Sequence, residues 1–239
     1  MSSHSSPKPS YGPDMQFWET CYQSGKTPWD KGRPNLLLDS WIRTGKLSPL
    51  VASDARPGSN DDSRVARVLV PGCGAGREVV LLAEWGFDVL GLDYAPAAVV
   101  QARDLLRKLL TSPQVDRVVR AEVLEHDLFD FIPGVAFDAV YDQQCLVAIH
   151  PSRWPDYAER LRGWLRPGGR LFLVLDPALT PEVARPQTRV EEPHRGPPYE
   201  CSLAQLRTVF PASAWDWPEQ EPDASPIAPE QVGLVLTRR

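Results

Sequence analysis

From residue 67 to residue 175 the chain alternates short, nearly continuous apolar runs with longer stretches in which apolar positions recur every three or four residues. The short runs, 67–71, 88–92, 120–124, 137–141 and 170–175, read as strands, and the periodic stretches, 75–85, 96–110 and 153–165, read as amphipathic helices. Strands that are apolar on both faces need cover on both. The alternation therefore predicts a mostly parallel sheet with helices on each side, the doubly wound, Rossmann-like α/β class. Pro96 opens a helix where its missing N–H costs nothing, and Pro167-Gly168-Gly169 turns a helix into the next strand.

Outside 64–176 the pattern breaks up. Residues 1–13 are rich in Ser and Pro and are expected to be a mobile tail. Two short helices, 14–23 and 35–44, flank a turn-rich stretch that begins Ser24-Gly25-Lys26-Thr27-Pro28-Trp29, and the polar run 53–63 (SDARPGSNDDS) has the composition of a linker. After the core, 177–198 is long and turn-rich, 203–210 reads as a helix and 232–237 (VGLVLT) as a final strand of the same domain. An unstructured loop of about 20 residues is uncommon inside a compact domain and is more often a lid or binding loop than filler.

Composition sharpens this division. The 239 residues include 25 prolines, about twice the usual share. Seven fall in 1–63, seven in 64–176 and eleven in 177–239, so the excess lies in the flanks. Eight tryptophans argue against wholesale disorder, because large rings left wet are costly. Trp41, Trp85 and Trp164 sit in helical context and read as core, whereas Trp18 and Trp29 flank a turn and read as ligand contacts. With 26 Lys+Arg against 31 Asp+Glu the net charge is −5, which lacks the basic face of a nucleic-acid binder. The absence of a long apolar run or signal-peptide core predicts a cytosolic protein with no membrane partner. Cys21, Cys73, Cys145 and Cys201 form no CxxC pair and the four histidines show no ligand spacing, so neither disulfides nor a metal site is expected.

The chemistry is carried by Val68-Leu69-Val70-Pro71-Gly72-Cys73-Gly74-Ala75-Gly76, an apolar strand running into a GxGxG turn and a helix. Glycines let the backbone turn sharply and approach a ligand closely, while the helix start offers unpaired N–H groups. Asp93 closes the next strand 17 residues past Gly76, where a carboxylate accepts from the two hydroxyls of a ribose, and Tyr94 follows it to pack on an adenine. Strand, turn, helix, strand and acid in this register point to a nucleotide-type cofactor. A dinucleotide site needs GxGxxG, and here the third glycine falls one residue early, with Arg77 and Glu78 after it.

The sequence VLVPGCGAG followed by GLDYAP resembles the first two motifs of class I S-adenosylmethionine (SAM)-dependent methyltransferases. His126-Asp127-Leu128, the strand Phe137-Asp138-Ala139-Val140-Tyr141-Asp142 and the turn before Arg170-Leu171 are similar to later landmarks of that class. This resemblance implies a seven-stranded sheet, SAM as cofactor with S-adenosylhomocysteine as its product, and cofactor contacts from Pro71, Gly72, Cys73, Gly74, Gly76, Asp93 and Tyr94. It also implies that Asp127 and Leu128 meet the adenine.

A narrower likeness lies in the flanks. Trp18, Tyr22 and Gly25-Lys26-Thr27-Pro28-Trp29-Asp30-Lys31-Gly32, then Tyr141-Asp142-Gln143-Gln144-Cys145-Leu146-Val147-Ala148-Ile149-His150-Pro151 and Gly196-Pro197-Pro198-Tyr199, resemble the thiopurine S-methyltransferase family, which includes thiol and halide methyltransferases. The resemblance implies that 14–52 is a lid whose Trp18, Tyr22 and Trp29 touch the cofactor, joined there by Asp142 and Gln143. It implies that Trp29, Pro197, Pro198 and Tyr199 cover the substrate. One departure matters: thiopurine-methylating members often carry Arg after the Asp142 position and plant thiol and halide enzymes Tyr, where this chain has Gln143, which cannot replace a guanidinium's charge.

The expected reaction is in-line transfer of the SAM methyl to a small soft nucleophile: a thiol, hydrosulfide, halide or thiopurine. Alignment and exclusion of water suffice for such acceptors, and no Ser/His/Asp or Cys/His set is present. Gln143 is the candidate for positioning SAM or polarising the acceptor, and His150 for taking a thiol proton. A residue just before Pro151 and a helix start also reads as a cap. Cys145 reads as a small core residue beside the site. The enzyme is expected to be a monomer. An O- or N-methyltransferase, a SAM-binding protein without turnover and a NAD-linked oxidoreductase are the competing readings.

Overall fold

The computed structural model describes residues 12–52, 63–112, 120–176, 196–219, 224–225 and 227–239. Of the expected tail (1–13), linker (53–63) and turn-rich loop (177–198), residues 1–11, 53–62 and 177–195 lie outside the described residues. Two helices lead the chain, α1 (Met15–Gln23), capped by Asp14, and α2 (Leu36–Arg43), capped by Asn35. An antiparallel pair follows, β1 (Leu50–Ala52) with β2 (Ser63–Val65), so the last residue of the expected linker pairs with Ala52 in a strand.

The central sheet is built from β3 (Arg67–Pro71), β4 (Asp88–Asp93), β5 (Ala121–Glu125), β6 (Phe137–Gln143), β7 (Leu165–Leu175), β8 (Trp215–Asp216), β9 (Ala224–Ser225) and β10 (Ala228–Arg238). Seven of these strands lie in the order β5-β4-β3-β6-β7-β10-β8, and β9 also pairs with β10. β3 to β7 are mutually parallel where they pair, and β10 runs antiparallel to β7. The strand order reverses between β3 and β6, which leaves a crevice at their carboxyl ends.

Between the strands run α3 (Arg77–Glu84), α4 (Pro96–Leu110), α5 (Cys145–Ala148), α6 (Trp154–Trp164) and α7 (Leu203–Val209). Side chains alternate along β7: Phe172 and Val174 pack with Trp41, Val79, Leu82 and Tyr141 on one face, and Leu171, Leu173 and Leu175 with Leu146, Tyr157, Leu161 and Phe210 on the other. Both faces are dry, as the continuous apolar runs require. Trp41 and Trp164 are buried, and Trp85 is half-buried beneath the Arg43 guanidinium.

Several boundaries differ from those read in the sequence for local reasons. The helix expected from residue 75 starts at Arg77, because Gly76 at φ 77° is in the left-handed region and serves as its N-cap. β7 begins at Leu165, with Pro167, Gly168 and Gly169 bulged out between the pairs Phe137/Leu165 and Ala139/Arg170.

Candidate active site

The crevice opens into a cavity of about 630 Å³, within the range of small-molecule sites. Its floor is the turn after β3. Gly72, Gly74 and Gly76 all have positive φ, and a Cβ on Gly74 would stand 2.5 Å from the Tyr22 hydroxyl, so no other residue fits there. Asp93 ties this turn to the end of β4: its carboxylate accepts the Gly74 N–H at 2.9 Å and the Ala95 N–H at 3.0 Å. Burial pushes its pKa up, and these amides oppose the shift. With the Tyr94 amide as a third donor, one of the four lone-pair sites of the carboxylate remains for a ligand. Tyr94, Asp127 and Leu128 line the cavity beside Asp93, and Asp127 also accepts the Phe129 N–H at 2.8 Å.

The roof is the N-terminal segment. Trp18 and Trp29 meet edge to face at 5.3 Å, and the Trp29 indole N–H donates to the Tyr22 hydroxyl at 3.2 Å. This docks the aromatic group above Gly74 with the Trp29 indole N–H paired. The segment is fastened at three points. Glu19 accepts the Ala97 N–H at 2.7 Å, satisfying the start of α4, where Ala95 offers no side-chain cap. Asp30 receives two hydrogen bonds from Arg77, at 2.5 and 3.0 Å. Glu78 accepts the Asn35 N–H at 3.1 Å, and burial raises its carboxyl to about 7.

The β6 end supplies the third wall. Tyr141 and Gln143, two residues apart on one face, both line the cavity, and the Tyr141 hydroxyl donates to Gln143 Oε1 at 2.9 Å. Asp142 between them points the other way and is not on the cavity wall. It is fully buried, accepts from Cys145 N–H (2.9 Å), Leu146 N–H (3.2 Å) and the Tyr157 hydroxyl (2.8 Å), and its carboxyl is raised by burial to about 6. The structure places the Asp142 side chain behind the cavity wall, where it caps the start of α5. Cys145 lines the cavity, and burial pushes its thiol well up, the state of a packing residue.

His150 lines the cavity and caps the short 3₁₀ turn Pro151–Arg153 through Ser152. Pro197 and Pro198 line it as well. Tyr199, expected beside them, turns inward instead: it is buried, donates its backbone N–H to Val147 O at 2.7 Å and meets His150 edge to face with ring centroids 5.4 Å apart. Trp18, Tyr22, Trp29, Pro71, Gly72, Cys73, Gly74 and Gly76 are all brought to the same cavity.

The sequence profile of the thiopurine S-methyltransferase family matches residues 13–229, which takes in the roof, the floor and the proline pair. The chain belongs to that family. It is 30% identical over 193 residues to a probable thiol methyltransferase 2 of Arabidopsis thaliana, covering 81% of this chain and 70% of the relative. Against a thiopurine S-methyltransferase of Vibrio cholerae the identity is 29% over 210 residues, with 82% and 81% covered. The fold is that of a magnesium protoporphyrin IX methyltransferase from Synechocystis solved with bound SAM, at TM-score 0.62 and 16% identity over 97% of this chain and 100% of the other.

As a member of the thiopurine S-methyltransferase family the chain is a SAM-dependent enzyme, and the cavity suits that cofactor. The glycine floor leaves room that a Cβ would fill, Asp93 stands at the ribose distance in sequence, and aromatic rings close over both. Cavity residues that the sequence did not single out as contacts include Glu78, Asn35, Tyr141, Asp176 and Gln231. An acid in the first turn after the glycines was the available signal for Glu78. Among the described residues no three His, Cys, Asp or Glu side chains are placed to hold a metal, and no helix is long and apolar enough to cross a membrane.

Proposed function

We propose that this enzyme methylates a small soft nucleophile, a thiol, hydrosulfide, halide or thiopurine, beneath the aromatic roof. The observation carrying this reading is that both segments flanking the core, Trp18 to Leu36 and Pro197 with Pro198, line one cavity with the glycine turn. The names of the relatives, a thiol and a thiopurine methyltransferase, support the acceptor class. Bound SAM would supply a methyl group on a sulfonium, an electrophilic carbon open to in-line attack by an acceptor sulfur once its proton has left.

The chain's own part is to bind, orient and dry. Backbone at Pro71, Gly72, Cys73, Gly74 and Gly76 cradles the cofactor, Asp93 accepts from its ribose, and Tyr94, Asp127 and Leu128 receive the adenine. Trp18, Tyr22 and Trp29 close over it, which removes water from the charged reactants. Gln143, held by Tyr141, orients the reacting end, His150 is placed to receive a thiol proton, and Trp29, Pro197 and Pro198 confine the acceptor. The unit acts as a cytosolic monomer with residues 64–176 as its core. A mass-spectrometric and headspace screen with SAM against iodide, hydrosulfide, small thiols and thiopurines tests the reading. Methylation of one or more supports it, and methylation of oxygen or nitrogen acceptors alone overturns it.

A further inference from the structure

Beyond β6 the cavity runs along an edge whose polar groups the cofactor does not account for. Gln143 lies across from Val174 on β7, and Val174 across from Gly233 on β10. Two-residue alternation then places Gln143, Asp176 just past β7 and Gln231 on β10 at three successive strand ends, on the face that carries Tyr141, Phe172, Val174 and Val235. All three line the cavity together with Asn35 and Leu36.

Their hydrogen-bonding capacity is uneven. Gln143 Oε1 is taken by the Tyr141 hydroxyl, which leaves its amide N–H groups to the cavity. Gln231 Oε1 is buried and has no hydrogen-bond partner among the described residues. Buried carbonyl oxygens are almost always paired, and an orphan on a ligand wall is explained when the ligand brings the donor. The one charge among these three strand ends is the Asp176 carboxylate.

We infer that the acceptor is an organic thiol bearing a nitrogen donor, an aminothiol whose ammonium donates to Gln231 Oε1 while its sulfur lies toward Gln143. An inorganic anion such as iodide brings no donor to Gln231. This inference rests on the soft-nucleophile reading above. Sites that hold a polar group for a substrate reject analogues lacking its counterpart, because the site's own group is left unpaired.

The test compares cysteamine, ethanethiol and iodide as acceptors by kcat/KM, with SAM affinity measured calorimetrically. Cysteamine is expected to exceed ethanethiol and iodide by about tenfold or more. Gln231→Leu, which removes an unpaired oxygen at similar volume, should lower the cysteamine-to-ethanethiol ratio about tenfold. Gln231→Glu should raise it, and SAM affinity should stay within about twofold of wild type in both, since Gln231 is on the acceptor side. Equal turnover of ethanethiol and cysteamine, or a ratio moved by neither variant, overturns the inference while leaving the soft-nucleophile reading intact. If SAM binds but none of the three is methylated, that reading fails and takes this inference with it.

Discussion

Glu78 makes the protein less stable as the pH rises, and Glu78→Gln should abolish that part of the dependence. Its carboxyl titrates at about 7 in the fold against 4.5 when unperturbed, with burial as the main cause. Below pH 4.5 both states hold the proton. Between the two values the folded chain keeps a proton that the unfolded chain releases, so stability falls with rising pH, and above 7 the full cost of a buried carboxylate is present. At about 1.4 kcal/mol for each pH unit the interval amounts to about 3 kcal/mol, and water in the adjoining cavity reduces this to about 1–3 kcal/mol. For a chain of this length that is roughly 3–9 °C in Tm. Thermal unfolding of the cofactor-free protein followed by circular dichroism from pH 5 to pH 8 reads it directly. Gln keeps a carbonyl for the Asn35 N–H, and Asp142 and Asp93 titrate alike in both proteins, so the difference between the two curves belongs to Glu78. Parallel curves would refute the reasoning.

Three further outcomes are expected. Asp93→Asn should weaken SAM binding at least about tenfold by calorimetry, since it disturbs both the ribose acceptor and the Gly74 turn; unchanged affinity removes the assigned role. Trp29→Ala should raise the SAM dissociation constant or slow turnover, because it strips the ring packed on Trp18 and Tyr22, and wild-type values for both would return Trp29 to a packing role. Asp142→Ala should cost about 3–5 kcal/mol in denaturant unfolding by leaving two buried amides and a tyrosine hydroxyl unpaired. SAM affinity of the folded fraction should stay near wild type, and a selective loss of affinity would restore Asp142 to the cofactor wall.

The parallel strands were legible because burial on both faces writes itself as unbroken apolar runs, and the glycine turn because only glycine tolerates positive φ beside the Tyr22 hydroxyl. β1 and β2 were missed since three residues are too few to show a period, and α5 because it starts abruptly after Gln144 at φ 60°. The motifs put Asp142 at a strand end and Tyr199 beside the proline pair, but a motif does not fix which way a side chain faces. Alternation along β6, with Tyr141 and Gln143 toward the cavity, already implied that Asp142 faces away. Gln231 was hidden because its neighbours in space, Gln143 and Asp176, come from strands far apart in sequence.

Arg77 and Glu78, which hold Asp30 and Asn35 of the roof, are the first two residues of the helix that starts at Gly76. One helical turn therefore serves as both the bed of the cofactor and the hinge-pin of its cover. Floor and roof of the cavity are thus joined through two consecutive residues, so a substitution that unseats this turn is expected to disturb both together.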